Sequence, residues 1–94
     1  MDGDQIAQIK NELKEQGYTI YVYSYPPAMY FPEHKHEYPK LHVVLSGSLK
    51  ITLPDREVIL NEGERIEIDA DIPHTAEVLG ETPLICVDAA KRPK

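Results

Sequence analysis

Residues 34–47 read "HKHEYPKLHVVLSG". The stretch holds three of the chain's four histidines, a lysine between the second and third, and an apolar run that stops at a glycine. On an extended strand residues i and i+2 point the same way, so His34 and His36 offer two imidazoles to one side. Neutral imidazole is a good ligand for divalent transition metals. His-x-His alone is a weak signal. Weight comes from the fourth histidine, His74, which follows Pro73 at the head of a later strand. A closed barrel would bring it opposite the first pair, and a third protein ligand with open positions is what a catalytic metal site needs.

The surrounding chain reads as short strands. From Tyr18 the period is two: "YTIYVYSY" puts Tyr21, Tyr23 and Tyr25 on one face and Ile20, Val22 and Ser24 on the other. Pro26-Pro27 breaks that run, and "AMYF" follows. Then come "KLHVVL", a turn at Ser46-Gly47, "SLKITL", a turn at Pro54-Asp55, and "REVIL". After Asn61-Glu62-Gly63 the chain continues with "ERIEI", a loop from Asp69 to Pro73, "HTAEVL", a turn at Gly80, and "PLICVDA". About eight strands at this spacing predict an antiparallel sandwich or barrel, and suit a closed or jelly-roll β-barrel without exposed edges. Ahead of them, Ile6, Ile9 and Leu13 recur at helical spacing over about residues 4–16. Asp2 or Asp4 caps the start, and Gly17 sits at C′. The narrow apolar stripe predicts a helix packed on the edge of something larger. Residues 1–94 make one domain, with the barrel over about 18–90.

The net charge of −6 argues against a nucleic-acid partner, because no basic face is available to displace phosphate counterions. The one basic cluster, Lys91, Arg92 and Lys94, reads as a solvated end. A single cysteine, Cys86, excludes an intramolecular disulfide, and in "PLICVDAA" it reads as a buried, inert thiol. No stretch approaches the ~20 apolar residues that span a bilayer, so no membrane partner is expected. Acidic residues stand where a signal peptide needs positive charge, which predicts a cytoplasmic location. The tyrosine face of the first strand is either half-buried packing or a subunit interface, and a homodimer is expected.

Two spacings resemble the motifs of a small single-domain cupin. The first cupin motif is His-x-His, three or four residues, Glu, six residues, Gly; His34, His36 and Gly47 match it. The second is Gly, five residues, Pro-x-Gly, two residues, His; Gly63 and His74 hold its ends, with Asp69 and Asp71 at the inner positions. Asp71 tolerates the turn conformation that a glycine supplies. The resemblance implies an all-β fold, a cupin-type antiparallel β-barrel (double-stranded β-helix or jelly roll) with a short N-terminal helix. It also implies His34, His36 and His74 as ligands of a divalent transition metal, Fe, Mn, Ni or Zn.

One position departs from the pattern. The cupin glutamate ligand falls on Lys40, which offers no carboxylate. Lys40 either swings out to pair with Glu33 or Glu37, or faces the site as a substrate-binding cation. His42 shares its strand face, about 6.5–7 Å further on. It is either a fourth ligand, direct or through water, or a cavity-lining residue. Val44, Ile51 or Leu53, and Val78 are expected to line an apolar pocket for a small molecule with one polar or anionic end. Tyr30 and Tyr38 are expected near its mouth. Cupins of this kind include dioxygenases and isomerases, and also ligand-sensing modules without catalysis.

Overall fold

The computed structural model describes residues 1–91. Arg92 and Lys94 of the basic cluster lie outside them. Lys91 places its ammonium over the Tyr18 ring, 4.7 Å from the centroid.

Helix α1 runs Gly3–Glu15. Asp2 is the N-cap, and with Gln5 it forms a reciprocal capping box that satisfies two backbone donors. At the other end Gly17 takes φ +91°, and the amides of Gly17 and Tyr18 bond back to Lys14 and Leu13. That Schellman pattern turns the chain directly into the first strand.

Eight strands follow: β1 (Thr19–Tyr25), β2 (Tyr30–His34), β3 (Lys40–Ser46), β4 (Ser48–Thr52), β5 (Glu57–Leu60), β6 (Arg65–Ile68), β7 (His74–Leu79) and β8 (Leu84–Ala90). They form two antiparallel four-stranded sheets, ordered β1-β8-β3-β6 and β2-β7-β4-β5. This is a jelly-roll order, in which successive strands alternate between the sheets except at the β4–β5 hairpin. Of the closed and jelly-roll alternatives the structure takes the jelly roll, and among the described residues the sheets are not closed by hydrogen bonds. Hydrogen bonding stops at β1 and β6 of one sheet and at β2 and β5 of the other. The two sheets meet through side chains instead.

Two apolar layers result. Between the sheets lie Val44, Leu49, Ile51, Leu60, Ile68, Val78, Leu84 and Cys86. On the outer face of the first sheet, Leu41, Val43, Leu45, Val87 and Ala89 pack against Leu13, with Ile6, Ile9 and Ile20 around them. The helix therefore covers a sheet face, not an edge. The cause is β3, whose run Leu41-His42-Val43-Val44-Leu45 is apolar on both sides and needs cover on each.

Gly47 joins β3 to β4 at φ +87°, and a Cβ there would stand 2.7 Å from the Pro83 carbonyl oxygen. Left-handed backbone and a main-chain clash both oppose any side chain. Gly47→Ala is expected to cost about 2 kcal/mol or more, lowering the melting temperature by roughly 8–16 °C. Thermal unfolding followed by circular dichroism checks this; an unchanged midpoint would show that the β3–β4 turn relaxes freely.

Candidate metal centre

His34 and His74 face each other across the β2–β7 ladder. A regular β2 would not place His34 there. Phe31 pairs with Ala76 and lines the cavity, so strict alternation would bring Glu33, not His34, to the same side. Three steps on β2, from Phe31 to His34, match two on β7, from Ala76 to His74. The extra residue is a bulge at Pro32-Glu33 that re-aims the imidazole inward. His36 lies beyond the end of β2, not on an extended strand, and its carbonyl accepts from the Asp71 amide at 2.8 Å. Asp71 holds φ +62°, the conformation a glycine would supply at that motif position.

The three imidazoles converge. Their ligating nitrogens lie within 4.8 Å of one another, and the His34 and His74 ring centroids are 4.3 Å apart. Backbone carbonyls set the tautomers. Nδ1–H of His34 donates to Pro32 O at 2.8 Å, and Nδ1–H of His74 donates to Ile72 O at 2.9 Å. A carbonyl only accepts, so both rings carry their lone pair on Nε2. The Nε2 of His74 is buried without a hydrogen-bond partner. A buried acceptor left unpaired costs about 1–3 kcal/mol. An ion on that lone pair removes the cost, and an Nδ1–H anchored on a carbonyl is the usual support for a metal-bound histidine. The donor set fits a transition metal.

Burial, then the charges of Lys40 and the neighbouring histidines, hold the His36 imidazole down to about 4 from an ordinary 6.5. Burial also lowers His74, with the Ile72 carbonyl opposing. Both rings therefore stay neutral and ligand-competent at mildly acidic pH. The depressed value has a sign. Between 6.5 and about 4 the unfolded chain takes up a proton at His36 that the folded chain refuses, so stability falls as pH falls. Metal-free protein is expected to melt at progressively lower temperature from pH 6.5 to 4, and less steeply with His36→Asn. Parallel pH profiles for the two proteins would remove His36 as a cause.

Lys40 does not swing out to Glu33 or Glu37. Its Nζ lies 3.4 Å from Asp88 Oδ2, inside the cavity wall. His42 is likewise engaged with Asp88, through Nδ1–H to Oδ1 at 2.8 Å, and stands outside the close set of three. Burial alone would raise the Asp88 carboxyl; the His42 hydrogen bond and the charges of His42 and Lys40 outweigh it and hold the group below its ordinary value. Asp88 was not singled out by the sequence reading. Its signal was there: a lone carboxylate in an apolar seven-residue strand needs a buried partner. Cys86, two residues before it, is buried as expected but faces the cavity. Burial first, then the Asp88 charge, pushes its thiol up to about 12, far from a reactive thiolate.

The cavity, about 170 Å³, opens between the sheets. His34, His36, His42, His74 and Lys40 supply polar wall, and Phe31, Leu49, Ile51 and Leu84 supply apolar wall. Val44 and Val78 do not line it; they are packed in the inter-sheet core, as Leu53 is at its margin. Tyr30 does not reach it either. Alternation that turns Phe31 inward turns Tyr30 outward, where it is 57% exposed opposite Glu77. Tyr38 borders an adjoining surface groove instead.

Comparison with known proteins follows the same lines. A family model described as "Cupin domain" matches residues 21–90. No curated protein matches. Among solved structures, a cupin-2 domain containing protein from Shewanella frigidimarina aligns with TM-score 0.67 and 19% identity, over 81% of this chain and 72% of that one. KdgF from a Halomonas species gives 0.69 and 17%, over 82% and 72%. The DMSP lyase DddQ from Ruegeria pomeroyi gives 0.72 and 18%, over 81% of this chain but 39% of its own. At these identities the likeness is one of fold.

Proposed function

This chain belongs to the cupin domain family, and on that premise we propose that it is a metal-binding small cupin. The reading makes it an enzyme, dioxygenase- or isomerase-like, acting on a small polar or anionic molecule between the sheets. The observation that carries it is His74 Nε2, a buried lone pair with no protein partner, set among two further imidazoles. His34, His36 and His74 would hold a divalent Fe, Mn, Ni or Zn ion. Such an ion supplies Lewis acidity at its open coordination positions.

The other groups act around that centre. The apolar wall of Phe31, Leu49, Ile51 and Leu84 excludes water and takes the substrate body. Lys40 offers a cation to its anionic end. Asp88 accepts from His42 Nδ1–H and so fixes the orientation of that ring in the cavity wall. The single free, buried thiol suits a reducing cytoplasm. A homodimer through a strand edge is the proposed assembly.

One observation favours a second reading, a ligand-binding module without catalysis. Both oxygens of the cavity carboxylate, Asp88, are engaged by His42 and Lys40, so no free carboxylate base remains on its wall. Elemental analysis of protein purified without added metal tests the main reading. About one transition ion per chain is expected, and oxygen uptake or turnover with candidate substrates then separates enzyme from binding module. Protein free of metal that also takes up none on titration would overturn the metal centre.

A further inference from the structure

Beside the metal cavity runs a second hollow of about 170 Å³, bordered by Tyr21, Tyr23, Tyr38, Lys40 and Asp88. We infer that it is the outer half of one continuous binding site, which takes the flat ring of a carboxylate-bearing small molecule whose charged end lies at Lys40. The inference deepens the reading of the inner cavity as a ligand site; it does not require that a metal be present there.

Continuity comes from the shared wall. Lys40 and Asp88 border both hollows. A file of rings makes the same passage. Tyr25 lines the inner cavity, edge-on to Phe31 at 4.8 Å. Tyr23 stacks on Tyr25 at 5.8 Å, and Tyr21 on Tyr23 at 6.3 Å. All three share one face of β1, and Tyr21 pairs directly with Asp88 across the β1–β8 ladder. This is the face that the second sheet covers further along. At Tyr21 and Tyr23 it does not, and those rings stand 51% and 40% exposed.

The chemistry of the occupant follows from the lining. Aromatic faces favour a flat ring, by offset or edge-on stacking. Lys40 brings three donors, and its one ion-pair partner among the described residues is Asp88 at a long 3.4 Å, with the other Asp88 oxygen taken by His42. A carboxylate between the hollows gains the remaining donors. A second copy of the chain fits less well. The core of a protein interface is depleted of charge, and this hollow has a Lys–Asp pair in its floor.

The test is calorimetric titration of the purified full chain with acetate, 3-phenylpropanoate and 3-phenylpropanol, with metal content and sedimentation measured on the same samples. 3-Phenylpropanoate is expected to bind tighter than acetate. The double variant Tyr21→Ala/Tyr23→Ala should shrink that ratio about fivefold to tenfold, and Tyr21→Leu, which keeps a large apolar side chain on β1, by a smaller factor. Lys40→Met should bring 3-phenylpropanoate down to the level of the alcohol. A ratio unmoved by the tyrosine variants overturns the inference, as does no binding of 3-phenylpropanoate at millimolar concentration. A dimer that dissociates in those variants while the ratio stays fixed also overturns it and assigns the face to a second copy. Wild-type protein without metal but with a tyrosine-dependent ratio would sink the metal centre and leave the groove standing.

Discussion

Replacing His74 with leucine is expected to abolish metal binding and, at the same time, to stabilise the metal-free protein. The two effects share one atom. Nε2 of His74 is buried and, among the described residues, has no hydrogen-bond partner. Losing a partner that merely supports a ligand costs 10–100-fold in affinity, so losing one of three ligands should cost at least ~100-fold. Without metal, the same nitrogen is a desolvated acceptor with nothing to accept. Leucine removes it and fills a site that is only 3% exposed. The gain is about 1–2 kcal/mol, or roughly 4–16 °C in melting temperature. Elemental analysis and thermal unfolding of chelator-treated protein check both arms. A metal-free variant less stable than wild type would mean that the Nδ1–H bond to Ile72 outweighs the orphaned nitrogen.

Asp88→Ala is expected to be the most damaging single change in the cavity. Among the described residues Asp88 is the only anion paired with Lys40 and His42, and its side chain is 15% exposed. Truncation leaves an ammonium in a wall where water reaches only part of it. Breaking a fully buried pair costs about 3–5 kcal/mol; partial screening brings the expected loss here to about 2–3 kcal/mol. Adding Lys40→Met should recover part of it, because the stranded charge goes too. Urea unfolding of the two singles and the double gives the coupling. Strict additivity would show that Lys40 and Asp88 act independently. The carboxyl is held below its ordinary value, so this contribution is present above pH 3.8 and is lost as pH falls through the folded value.

Much of this was readable from the chain. Two-residue alternation and punctuation by Gly, Pro and Asp marked the strands, and the resemblance of His34–Gly47 and Gly63–His74 to the two cupin motifs implied the fold and the three imidazoles. Asp71 at φ +62° shows how local chemistry carried a motif position that lacks its glycine. What the chain did not yield has physical reasons. Whether two sheets close into a barrel depends on inter-strand hydrogen bonds that no residue pattern encodes. The partner of Lys40 sits on β8, 48 residues away, and spacing rules reach only local neighbours. Tyr30 was misplaced because its proximity in sequence to the histidines says nothing of which face it takes.

The bulge on β2 has a consequence for donor chemistry. The strand has one residue more than its partner between the Phe31 and His34 pairings. Moving that surplus residue past His34 would present Glu33 to His74, exchanging a nitrogen donor for a charged oxygen donor without altering the sequence. An all-imidazole set suits borderline ions, whereas a carboxylate tilts selection toward harder ones. Strand framing, set by where the chain stores a single spare residue, would thus be part of what chooses an ion bound there.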